Sequence, residues 1–319
     1  MPRTSVQRPR RLKKGATVAV IAPSSFPDYP EFSLFEGLEY IRKLGFRLKI
    51  GKTLTEAKSR WYLSGEDEFR AQDINTAFAD ENVDAIICAR GGAGSMRILK
   101  LLDYDLIKKN PKPFVGYSDT TSIQNAMLSL SGLASIQGPM GAVGFGKDSD
   151  VKKTKMYWNT LVSMLGGEEL QLGAWKGGPP PLTVKAGRAE GRLVGGNLIL
   201  FTLLGGSKYC PTQNGDVLFL EDISEETWRV DNFLASLSAQ GALDRASGIV
   251  LGEFPREREQ ARGPRLEEIF RTYLENLDAP SFINYPCCHG YGHEPVPLGI
   301  RVSLDADKRL LQMLEAAVE

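Results

Sequence analysis

Histidine is nearly absent from this chain: its 319 residues contain two, His289 and His293. Any chemistry that needs an imidazole must use one of them. Cysteine is sparse as well. Cys88, Cys210, Cys287 and Cys288 form no C-x-x-C pair, and adjacent cysteines have poor geometry for an ordinary disulfide. They read as reduced thiols. No apolar segment of signal-peptide type follows the N-terminus, so a cytoplasmic protein is expected. No apolar run approaches the roughly 18 residues that cross a bilayer, so no membrane partner is expected. Net charge is missing too, since 39 Lys plus Arg balance 39 Asp plus Glu. That balance argues against nucleic acid as the main partner. Its local exception, Arg3, Arg8, Arg10, Arg11, Lys13 and Lys14, reads as a solvated tail.

What the chain does have is a regular alternation of apolar runs and helical patterns, the mark of an α/β protein with a parallel sheet. TVAVIA at 17–22 is a buried strand. Ser33–Leu44 is a helix opening on Ser33 with Glu36 three residues on, and stopping at Gly45. Strands follow near 47–50, at 84–88 (DAIIC) and at 113–117 (PFVGY), with helices at 66–79, 96–102, 120–130 and 151–165 between and after them. The Gly- and Pro-rich stretch 166–187 reads as a linker between an N-terminal α/β domain, 1–165, and a C-terminal domain, 188–319. Beyond it, strands are expected at 217–220, 248–251 and near 282 and 301, with helices near 227–237 and 264–277.

In an open parallel sheet, ligands bind beyond the carboxyl ends of the strands. Two strands here end in unusual loops. One is RGGAGS, Arg90–Ser95; the other is Gly116-Tyr117-Ser118-Asp119. In the second, a strand turns straight into a helix with Ser118 at the bend, the layout of a nucleophile elbow, although Thr120 replaces the second glycine of G-x-S-x-G. The competing reading is that Ser118 or Asp119 only caps the helix. RGGAGS lacks the Lys-Ser/Thr ending of a P-loop and the third glycine of a dinucleotide loop, so no nucleotide cofactor is expected. Its glycines suit an oxyanion hole beside Ser118 instead. The two histidines have H-x-x-x-H spacing, but the intervening glycines and the prolines at 295 and 297 make the helix of a zinc site improbable; no metal is expected. A carboxylate partner is sought at Glu221, which directly follows the apolar run Val217–Leu220, rather than at Glu225 or Glu226, which fit a helix cap.

RGGAGSMRIL, PKPFVGYSDTTSIQNAM, GRLVGGNLILFTLLGG, LFLEDISEETWRVDNFLASL and HGYGHEPVPLGI together resemble the LD-carboxypeptidase family of serine peptidases, whose relatives include microcin self-immunity peptidases. The resemblance runs from about Gly15 to the C-terminus. It implies a flavodoxin-like N-terminal domain, a C-terminal α/β domain of β-barrel character, and a Ser-Glu-His triad carried by Ser118, Glu221 and a histidine. The family's histidine follows a glycine and precedes a P-[LI]-G segment. His289 has the matching distance to Pro297-Leu298-Gly299 but follows Cys288; His293 follows Gly292. His289 is preferred, with His293 as runner-up. Backbone N–H groups of Gly92 and Asp119 are the expected oxyanion donors, and Arg90 and Gly91 the expected substrate contacts. The implied reaction is hydrolysis of an L,D-amide in a small, muropeptide-like peptide with release of a D-amino acid, and a homodimer is a further expectation. The alternatives are a microcin-type hydrolase of peptidyl-nucleotide conjugates and an inactive ligand-binding relative.

Overall fold

The structure, a computed structural model, describes residues 5–28, 32–147, 149–173, 177–255 and 263–319. Arg3 of the basic cluster and 174–176 of the linker stretch lie outside the described residues. The first sheet is built from β1 (Thr17–Ile21), β2 (Arg47–Ile50), β3 (Ala85–Cys88), β4 (Phe114–Val115) and β5 (Ser135–Gln137). These five run parallel in the order β2-β1-β3-β4-β5, the flavodoxin arrangement. β1, β3 and β4 are apolar and almost wholly buried because helices cover both faces, as all-parallel sheets require. Helix Leu34–Lys43 starts where the side chain of Ser33 accepts from the Glu36 N–H, 3.5 Å away.

The second sheet has eight strands: β6 (Gln171–Leu172), β7 (Leu182–Lys185), β8 (Arg188–Asn197), β9 (Val217–Glu221), β10 (Gly248–Gly252), β11 (Ser281–Tyr285), β13 (Arg301–Asp305) and β14 (Leu310–Met313). Their order is β6-β14-β13-β8-β9-β10-β11-β7, with β8 to β11 parallel and the flanks antiparallel. The stretch 166–187, expected as linker, thus supplies both edge strands. The sheet curls. Glu294 accepts at 2.5 Å from the Gly173 N–H, just past β6, and at 3.1 Å from the Tyr285 hydroxyl, at the end of β11. The ends of strands from opposite flanks therefore meet on one carboxylate.

One element ties the two sheets together. β12 (Val296–Leu298) leaves the second half of the chain and pairs antiparallel with β5 at the edge of the first sheet. Its proline is compatible with that edge position, where one missing N–H costs no ladder bond. A buried polar seam adds to it. Helix Thr121–Leu130 presents Thr121, whose hydroxyl accepts from Asn197 N–H at 3.0 Å, and Asn125, which donates to the Gly195 carbonyl at 2.8 Å. The helix that follows Ser118 is thereby bonded to the end of β8.

The basic N-terminal segment is only partly a tail. The side chains of Arg10, Arg11, Lys13 and Lys14 are exposed, but Gln7 bridges to Leu133, and Arg11 and Pro9 exchange backbone bonds with Glu319. Among the described residues no helix is long and apolar enough to cross a membrane.

Candidate active site

β3 and β4 are neighbours in parallel register, Ile86 beside Phe114 and Ile87 beside Val115, so RGGAGS and GYSD leave the same sheet edge. Ser118 has φ of +65°, a left-handed conformation that costs a non-glycine residue roughly 1–2 kcal/mol. It opens a single 3₁₀ turn, Ser118–Thr120, that runs into helix Thr121–Leu130. Two glycines make the bend sterically feasible. A Cβ on Gly91 would stand 2.8 Å from Ser118 Cβ, and one on Gly116 would stand 2.8 Å from Thr120 Oγ1. The Thr120 hydroxyl donates to the Tyr117 carbonyl at 3.0 Å, closing the turn where the usual motif has glycine. Neither Ser118 nor Asp119 caps the helix: the turn and the helix have no side-chain cap. Asp119 reaches sideways instead, accepting from Ser95 N–H at 2.8 Å, while the Ser95 hydroxyl donates back to the Asp119 carbonyl. The two loops are thus locked together.

The RGG loop is held from its other side. Gly92 has φ of +112°, the Ala93 N–H donates to Ser25 Oγ at 3.2 Å, and Ser25 N–H donates to the Gly91 carbonyl at 3.2 Å. Fully buried Arg70 donates to the carbonyls of Pro23 and Gly94 at 2.5 and 3.1 Å. Among the described residues, the N–H groups of Gly92 and Asp119 bond to no protein acceptor. Arg90 donates to the Phe26 carbonyl at 3.0 Å and lies 4.0 Å over the Phe32 ring, so its guanidinium also braces the loop after β1.

Glu221 is the last residue of β9, wholly buried, and its Oε2 lies 2.7 Å from His289 Nδ1. Burial lowers the imidazole's affinity for a proton. The Glu221 charge, their shared hydrogen bond and Asp222 together outweigh it, so the His289 pKa is raised above 6.5. The ring meets Tyr117, the neighbour of Ser118, edge-on with centroids 5.0 Å apart. Ser118 Oγ makes no hydrogen bond to an imidazole among the described residues; catalytic contacts of this kind are commonly long until substrate engages. Cys288 has φ of +48°, a backbone conformation that glycine adopts without strain. Gly292, before His293, is not among the positive-φ glycines.

His293 packs against Tyr117 and Tyr157, with centroids 6.3 and 6.0 Å away. Burial, then Lys153, hold its pKa down at about 4. The carboxylate of Glu294 goes to Gly173 and Tyr285, so His289, His293 and Glu294 do not converge as ligands would. Among the described residues no cluster of metal-binding side chains occurs. Glu225 pairs with Arg229 at 2.6 Å on the helix Thr227–Ala239, away from the imidazole.

Sequence reasoning missed three polar residues here. Asp222 accepts from Asn197 Nδ2 at 2.8 Å and Ile199 N–H at 3.1 Å, and burial beside Glu221 raises its pKa to about 7. Asn197 caps helix Leu198–Leu203 and is the register partner of Glu221. Glu253, one residue past β10, accepts from the Tyr291 N–H. The rule that found Glu221, an acid directly after an apolar strand, would have found Glu253 after GIVLG.

Models of the LD-carboxypeptidase N-terminal domain and of the LD-carboxypeptidase C-terminal domain match residues 18–138 and 190–304. A probable murein peptide carboxypeptidase of Bacillus subtilis is 35% identical over 98% of this chain and 95% of its own length. The structure of MccF in complex with glutamyl sulfamoyl guanosine superposes with a TM-score of 0.88 at 25% identity, covering 98% of this chain and 99% of that one. The muramoyltetrapeptide carboxypeptidase of Oxalobacter formigenes superposes with a TM-score of 0.79 at 26% identity, covering 93% and 98%.

Proposed function

Because the chain belongs to the LD-carboxypeptidase family, we propose that it is a serine carboxypeptidase that cleaves an L,D-amide bond and releases a C-terminal D-amino acid, with muropeptide stem peptides as its substrate class. Ser118 is the nucleophile, His289 the base and Glu221 its orienting carboxylate. The observation that carries this reading is the 2.7 Å contact between a buried carboxylate and Nδ1 of an imidazole that stands over the residue preceding Ser118. With Nδ1–H donated to Glu221, Nε2 is the free lone pair. It takes the Ser118 proton as Oγ attacks the scissile carbonyl, and the imidazolium that forms is stabilised by Glu221. The oxyanion forms between the N–H groups of Gly92 and Asp119, which a strained elbow and a braced glycine loop hold in place. The imidazolium then protonates the leaving amine, and water releases the acyl group by the same steps in reverse. Arg90 and Gly91 open the same loop and are the residues we assign to substrate contact, Arg90 while its guanidinium braces the loop after β1.

The test is mass spectrometry of the purified protein with a murein tetrapeptide and, separately, with a peptidyl-adenylate conjugate. Loss of one D-alanine from the tetrapeptide is expected. Cleavage of the conjugate alone would move the chain to the microcin-type reading, and an unlabelled Ser118 after exposure to a fluorophosphonate would leave only a ligand-binding protein. A cytoplasmic homodimer goes with the same reading, and sedimentation of the purified chain tests the second half of that statement.

A further inference from the structure

In the proposed mechanism the nucleophile follows β4 of the first sheet, Glu221 ends β9 of the second, and His289 stands on the loop between β11 and β12. No hydrogen bond among the described residues joins Ser118 to His289, so their spacing is set by the parts around them. One buried side chain reaches the neighbours of all three. Gln137, the last residue of β5, is wholly buried. Its Oε1 accepts from the thiol of Cys288, the residue before His289, at 3.5 Å. Its Nε2 donates to Thr121 Oγ1 and to Gln124 Oε1, both at 3.0 Å and both on the helix that follows Ser118. Thr121 Oγ1 accepts in turn from the N–H of Asn197, the register partner of Glu221. The orientation of the amide is fixed by its partners: Gln124 Nε2 donates to the Ile136 carbonyl, which leaves Gln124 Oε1 to face a donor. Gly196 leaves room for the network, since a Cβ there would lie 2.4 Å from Gln137 Nε2 and 2.7 Å from Thr121 Oγ1.

The geometry points to Gln137 and Cys288 as a positioning pair: the thiol ties the His289 loop, through the Gln137 amide, to the helix behind Ser118, and so sets how far the imidazole stands from the serine hydroxyl. The assignment rests on the hydrolase reading. Neither residue is placed to touch substrate; each acts through its neighbour. It also gives Cys288 a task. Its φ of +48° is one that glycine adopts without strain, and a glycine there would bring no donor to Gln137 Oε1. The thiol stays a donor at neutral pH, because burial raises its pKa to about 11. A buried amide oxygen without that donor would be left unpaired. A displacement of about 1 Å between reacting groups can lower a rate by ~10²-fold, so a modest shift of the loop is readable in turnover. A thiol is a weak donor, so the effect of losing it should lie below that figure.

The experiment compares wild type with Cys288→Ala, Cys288→Ser, Gln137→Met and the double variant Cys288→Ala with Gln137→Met. Release of D-alanine from a tetrapeptide and the rate of Ser118 labelling by a fluorophosphonate are both measured. Cys288→Ala makes the same backbone demand but brings no donor. It should lower kcat and the labelling rate together by about tenfold, with KM within about twofold of wild type. Cys288→Ser returns a donor and should come back to within about threefold of wild type. Gln137→Met should lower kcat by about 10–100-fold, and adding Cys288→Ala to it should lower kcat no further, because the shared bond is already gone. The acidic limb of the pH profile should stay in place throughout, since the contact between Glu221 and His289 is untouched. Wild-type kcat in Cys288→Ala overturns the proposal, as does a serine variant no better than alanine. Effects that multiply in the double variant, or a limb that moves, overturn it too. Should Gln137→Met not fold, as urea unfolding would show, the comparison of Cys288→Ala with Cys288→Ser decides alone. Failure of the hydrolase reading looks different, for it abolishes turnover and labelling in wild type itself.

Discussion

His289 and His293 sit four residues apart on one loop, and both rings lie against Tyr117. Burial pushes the proton affinity of each downward, yet they end on opposite sides of the ordinary value, His289 raised and His293 held at about 4. The difference is the neighbour. His289 faces a buried carboxylate at hydrogen-bond distance, whereas His293 faces Lys153 and two tyrosines. The lesson is that loop position alone does not make a base. In the proposed mechanism the base depends on the strand end that carries Glu221, where β9 stops after the buried apolar residues Leu218, Phe219 and Leu220.

The largest effects should come from breaking the favoured side. Ser118→Ala and His289→Ala should each lower tetrapeptide turnover by roughly 10⁴–10⁶-fold, and the double variant should be little worse than either alone, since triad members act as a unit. Release of D-alanine read by mass spectrometry measures it. Activity within tenfold of wild type in either single variant would remove that residue from the mechanism. His289→Ala should also abolish labelling of Ser118 by a fluorophosphonate, because acylation itself needs the base.

Glu221→Gln sharpens the comparison by making His289 resemble His293. Turnover should fall by about 10²–10⁴-fold with the fold intact. The pH profile carries the sign. The base must be neutral to accept a proton, so wild-type kcat/KM falls as pH drops through the raised His289 pKa, above 6.5. Without the Glu221 charge, Asp222 is left to oppose burial and the acidic limb should move to lower pH. A limb that stays in place means that another group titrates there. Glu225→Gln, which loses only its ion pair with the exposed Arg229, should leave rate and limb near wild type.

Much of this contrast was readable in the sequence, and the unreadable part has physical causes. Ser118 and Glu221 stand at the ends of strongly apolar strands, where periodicity is informative. The choice between the histidines was not settled by motif rules, because spacing favoured His289 and the preceding glycine favoured His293. Backbone geometry lends weight to the proposed base, His289. It is Cys288 that occupies a left-handed position, φ +48°, so the residue before His289 has the conformation that a glycine would adopt there. A dihedral angle of one residue leaves no trace in composition or periodicity. β5 and β12 escaped for a related reason: each has three residues, too few for a period, and β12 contains a proline that reads as a turn. The two strands in 166–187 were hidden under glycines and prolines, because edge strands tolerate what central strands do not.

The smallest effect on rate is expected at His293, and it separates the two histidines by stability instead. His293→Gln should keep turnover within about tenfold of wild type and leave Ser118 labelling measurable. Its signature lies in the pH dependence of unfolding. In the folded protein the His293 pKa is about 4, against 6.5 for an unperturbed histidine. Between those values the unfolded chain binds a proton at this site and the folded chain does not. Stability therefore rises with pH across that window, and the contribution present above 6.5 is lost as pH falls toward 4. Glutamine does not titrate, so the difference in stability between wild type and His293→Gln, followed by urea unfolding at several pH values, should change steadily between pH 6.5 and 4 and be flat above it. His289 and the carboxylates also titrate in this range, but they are common to both proteins and cancel in the difference. A difference that is flat throughout would mean that His293 is protonated as readily as in solution. Loss of Ser118 labelling in His293→Gln, with labelling retained in His289→Ala, would reverse the comparison and move the base to the other end of the loop.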